Sequence, residues 1–74
     1  MTTEQFKLVK QAARELEITY KEYPNYSGRN MFGRTTLGVV LDSGADTDTI
    51  EEWIDNNCSF ELRSDNMGKG YILY

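Results

Sequence analysis

Histidine is absent from the 74-residue chain, and cysteine and proline occur once each. The lack of histidine removes the commonest acid–base side chain and the commonest metal ligand together. One cysteine, Cys58, forms no internal disulfide, so nothing asks for an oxidising compartment and the cytoplasm is the expected location. No apolar run approaches the roughly 18 residues that cross a bilayer. The first five residues, Met1 to Gln5, lack the basic start and apolar stretch of a signal peptide. Bases are scarcer than acids, eight against twelve, and the net charge of −4 argues against a general nucleic-acid coat. Neither GxGxxG nor GxxxxGK[ST] occurs, so no phosphate-binding fingerprint is present.

What remains is the composition of an ordinary folded protein. At 39% hydrophobic and 27% charged residues the chain is too apolar for disorder. Its length allows one domain, residues 1–74, with one small core. Phe6, Val9, Ala13 and Leu16 recur at helical spacing and predict an amphipathic helix over 3–16, with Thr2 and Gln5 as a capping box. Alternation over Ile18 to Tyr23 predicts a strand that Pro24-Asn25 ends. Leu37, Val39 and Leu41 predict one face of a second strand over 35–41, paired with the first as a long-looped hairpin. A turn over Asp42 to Ala45 leads to a second helix from about Asp48 to Asn57, capped by Asp48 with Glu51. Trp53 is expected as a core anchor on its apolar face. Ser59–Arg63 and Tyr71–Tyr74 predict a closing hairpin around the turn-rich Asp65–Gly70. The expected fold is α+β, in the order α-β-β-α-β-β, with both helices packed on one face of an antiparallel sheet. If the last strand lies on an edge, it is open to pairing with a partner chain, and a homodimer is one such arrangement.

The segment Tyr26-Ser27-Gly28-Arg29-Asn30-Met31-Phe32-Gly33-Arg34 is the least ordinary. Two glycines bracket an arginine, an amide and two large apolar groups. Residues 19–38 carry Lys21, Arg29 and Arg34 against Glu22 alone. Two readings stand: Met31 and Phe32 plug the core, or Tyr26, Arg29, Asn30, Met31, Phe32 and Arg34 form a binding loop. Residues 27–34 resemble a segment, roughly S-G-R-G-M-Y-G, of short phage and prophage proteins of unknown function. Asn30 and Phe32 stand where that pattern has glycine and tyrosine. The resemblance implies a phage-like origin and brings no activity with it.

From Asp42 to Asp55 the chain carries six acids, Asp42, Asp46, Asp48, Glu51, Glu52 and Asp55, and no base. A solvated helix face explains them, as does a surface offered to a basic partner. Their spacing does not keep the EF-hand order, so neither metal nor cofactor is expected. With no histidine near Cys58 and no carboxylate pair placed across a cleft, catalysis is not expected either. The sequence therefore favours a small protein-binding module. The alternatives are a nucleic-acid-binding domain using Arg29, Arg34 and the tyrosines, and an acidic inhibitor of a nucleic-acid-binding complex.

Overall fold

A computed structural model describes residues 1–27 and 35–74. Helix α1 spans Thr3–Glu15, and its start is the expected capping box: Thr2 Oγ1 accepts from Gln5 N, and Thr2 N donates to Gln5 Oε1. Its end is a Schellman arrangement. Glu17 N donates to Arg14 O and Ile18 N to Ala13 O, which requires Glu17 to take a left-handed φ of 57°. Strand β1 (Tyr20–Tyr26) follows, then β2 (Thr36–Leu41), α2 (Gly44–Asn57), β3 (Ser64–Asn66) and β4 (Tyr71–Leu73).

The four strands form one antiparallel sheet in the order β1-β2-β4-β3. Helix α1 packs on α2 and β2, and α2 on β2 and β4, so both helices lie on one face. Between the layers Phe6, Val9, Ala12 and Ala13 of α1 meet Ile50 and Ile54 of α2 and Val39, Leu41 and Leu73 of the sheet. Ala12 and Ala13 are fully buried, and their small side chains let α1 approach closely. Trp53 is half-buried against this core, as are Phe60 and Leu62. A Leu or Ile cut to Ala in such a core costs about 2–5 kcal/mol.

Three boundaries differ from the sequence reading, and the place of the last strand is settled. Strand β1 does not stop at Pro24 but runs through it, because β1 is an edge strand and pairs on one side only. Helix α2 begins four residues earlier than expected, with Ser43 as its N-cap: Ser43 Oγ accepts from Asp46 N at 3.3 Å, and Asp48 is already inside the helix. The third strand is Ser64–Asn66 rather than Ser59–Arg63, although Arg63 and Tyr74 exchange both backbone hydrogen bonds and extend its ladder by one pair. Phe60 and Leu62 reach the core from irregular backbone instead. Strand β4 is interior, between β2 and β3, so it has no free edge for a partner.

The β3–β4 turn shows why its glycines stand where they do. Gly68 has a φ of 86°, its N–H bonded to Asn66 Oδ1 at 2.7 Å. Gly70 has a φ of 151°, and a Cβ there would lie 2.6 Å from Leu41 O, so the turn tucks against the end of β2.

Candidate binding surface

The sheet face away from the helices collects side chains by strand parity. In β2 it takes Thr36, Gly38 and Val40, and in β4 Ile72 and Tyr74. Lys21 and Tyr23 pair with Val40 and Gly38, and Asp65 pairs with Ile72, so all three join them. Arg63, paired with Tyr74, belongs to this face as well. Tyr23 and Tyr26 are an odd number of residues apart and in a regular strand would point to opposite sides. Between them the register slips: Tyr23 pairs with Gly38 but Tyr26 with Thr36, three residues of β1 against two of β2. This one-residue bulge turns Tyr26 onto the same face as Tyr23.

Three tyrosines thereby meet. Tyr23 and Tyr26 are edge to face, with centroids 5.9 Å apart, and Tyr26 lies tilted against Tyr74 at 5.1 Å. The Tyr26 hydroxyl donates to Asp65 Oδ2 at 2.7 Å. Tyr23 is 42% exposed, and Lys21 and Arg63 stand exposed on either side. Ile72 is fully buried although it lies on the face away from α1 and α2. It leans over bare backbone: a Cβ on Gly38 would lie 2.6 Å from Ile72 Cδ1.

Of the residues expected to bind, the structure places Tyr26 in this cluster. Arg29, Asn30, Met31, Phe32 and Arg34 lie outside the described residues. The sequence offers Tyr23 only among the tyrosines of the nucleic-acid alternative, and it does not single out Tyr74 for a site. The odd Tyr23–Tyr26 spacing hid their common face, and only the bulge reveals it.

The expected acidic surface lies elsewhere, on and beside α2. Residues 35–62 hold Asp42, Asp46, Asp48, Glu51, Glu52, Asp55 and Glu61 and no base, a charge of −7 against +3 for the rest of the chain. Among the described residues the one salt bridge, Lys10 to Glu22 at 2.8 Å, joins α1 to β1 and leaves these acids without a counter-charge. Asp46 lies in the first turn of α2, where the helix dipole favours it. No base occupies the last turn, and Asp55 sits near that end, where the dipole opposes it. Glu51, Asp55 and Glu61 rim a shallow cleft of about 230 Å³ floored by Ile54 and Leu62. Burial, then the charges of Asp48 and Asp55, pushes the Glu51 carboxyl above its usual value. Among the described residues no group of acids and Cys58 is arranged to hold a metal ion. Cys58 itself caps α2, its N–H bonded to Ile54 O at 2.7 Å.

The fold and its surface define a two-layer α+β domain in which α1 and α2 pack on one sheet face and the tyrosines lie on the other. No family model, curated protein or solved structure matches the chain. Among the described residues no helix is long and apolar enough to cross a membrane.

Proposed function

We propose that the chain is a small protein-binding module that meets its partner through the sheet face away from α1 and α2. The observation that carries this reading is the gathering of Tyr23, Tyr26 and Tyr74 on that face, with Lys21 and Arg63 beside them. Tyrosine offers large contact area at low conformational cost, and with arginine it anchors many protein interfaces. The segment carrying Arg29, Phe32 and Arg34 leaves β1 at Tyr26 and re-enters β2 at Thr36, a pair on this same face. A second reading rests on the uncompensated acids of α2, which suit a basic protein surface and support the inhibitor alternative.

The test is capture from bacterial lysate by the tagged chain and by two variants. One is Tyr23→Ala with Tyr74→Ala; the other is Glu51→Gln with Glu52→Gln and Asp55→Asn. Melting curves establish that each variant folds. A discrete protein that survives nuclease and high salt, is lost by the tyrosine variant and is kept by the charge variant supports the sheet-face reading. Loss by the charge variant alone moves the interface to α2. A signal removed by nuclease or salt transfers the tyrosines to nucleic acid, whose phosphate contacts weaken steeply with salt.

A further inference from the structure

We propose that Tyr26 and Asp65 form a clasp across the face away from α1 and α2, tying the two edge strands together and fixing the shape of the tyrosine surface. The purpose assigned to that shape rests on the binding reading above; the clasp itself does not.

The lattice of the sheet shows how unusual the contact is. Tyr26 stands on β1 level with Thr36, and Asp65 on β3 level with Val40, with β2 and β4 between them. On a flat sheet with strands about 4.8 Å apart and residues about 3.3 Å apart along them, the two Cα atoms would be roughly 19 Å apart. A tyrosine and an aspartate side chain do not together reach that far. The 2.7 Å hydrogen bond therefore requires the sheet to coil, bringing the end of β1 back over the face. The bulge between Tyr23 and Tyr26 supplies the bend and aims the ring. The direct path between the partners crosses Gly38, Tyr74 and Ile72. It is along this path that Tyr26 leans on Tyr74, that Gly38 leaves room for Ile72, and that Ile72 is fully buried on the face away from α1 and α2. A hydroxyl donating to a carboxylate is among the stronger neutral-to-ion bonds, and it closes the arrangement at its far end.

Hydrogen exchange on the free protein tests the clasp with Tyr26→Phe, Asp65→Ala and the double variant. Tyr26→Phe keeps the ring and its contacts with Tyr23 and Tyr74 and removes the donor. Amides of Tyr26, Thr36 and Asp65 are expected to exchange roughly tenfold faster or more in each single variant, while amides of α1 and α2 keep their protection. In the double variant the two effects are expected to fall short of adding, because the Tyr26–Asp65 bond is lost in each single variant and can be lost only once. Unchanged exchange in Tyr26→Phe, or effects that add in the double variant, overturns the clasp. Failure of the binding reading shows separately: a Tyr23→Ala/Tyr74→Ala chain that captures its partner like the parent removes the face as an interface and leaves the exchange result standing.

Discussion

Glu17 occupies a position that suits glycine. Among the described residues it is the one non-glycine with a positive φ, at 57°, and the Schellman bonds from Glu17 N and Ile18 N hold it there. A side chain in left-handed backbone costs about 1–2 kcal/mol, part of which glycine gives back through its own flexibility when unfolded. Glu17→Gly is therefore expected to stabilise the domain by about 0.5–1 kcal/mol, read as a rise of a few degrees in melting temperature. Gly38 is the opposite case, where glycine is required by space. Its missing Cβ is where Ile72 lies, so Gly38→Ala should cost about 1–3 kcal/mol by overpacking. The colliding atom is Ile72 Cδ1, which valine lacks. Gly38→Ala combined with Ile72→Val should therefore be more stable than the two single losses added together, a coupling that a double-mutant cycle in denaturant measures.

At the scale of elements, α2 separates what local pattern can say from what packing decides. Asp48 with Glu51 has the spacing of a cap, and Gly44-Ala45 after Asp42-Ser43 has the look of a turn. Yet Ser43 caps the helix, and the ring of Tyr71 packs beside Gly44 in its first turn, 3.4 Å from where a Cβ would stand. Ser43→Ala should thus lose about 1 kcal/mol. Asp48→Ala, which removes no cap and relieves repulsion on Glu51, should not destabilise; urea melts of the two variants side by side decide between the two helix starts. Helix α1 was legible because its apolar period and capping box are both local. The alternation of β2 was legible for the same reason, with Val39 and Leu41 inward and Val40 outward as read. Strand order, the bulge after Tyr23 and the shift of β3 to Ser64–Asn66 depend on non-local pairing, which no single window of sequence carries. The tyrosine cluster was unreadable on the same ground, since Tyr74 comes 48 residues after Tyr26 and meets it only through the β2–β4 crossover.

Over the whole molecule, charge and hydrophobic surface are laid out on different sides. The helix layer around α2 carries the unpaired acids, while the opposite sheet face carries the tyrosines with Lys21 and Arg63. The exposed β1 edge is blunted by Pro24 and the bulge, which interrupt the flat row of groups another strand would need. Concentrating acids on one helix makes stability depend on pH in a direction opposite to that of a salt-bridged carboxylate. Glu51 has its folded-state pKa raised above the ordinary 4.5, by burial first and then by Asp48 and Asp55. The folded state therefore holds this proton more tightly than the unfolded chain. Its contribution to stability is greatest below the unfolded value and falls as pH rises through the folded one, leaving a constant penalty at neutrality. Glu51→Gln removes the ionisation and should be more stable than the parent at pH 7. The advantage should shrink as pH is lowered through the raised pKa and vanish once the carboxyl is protonated in both states. Denaturant midpoints for the two chains at a series of pH values measure the gap. A gap that stays constant with pH would mean that the gain comes from the amide's own contacts rather than from the lost charge.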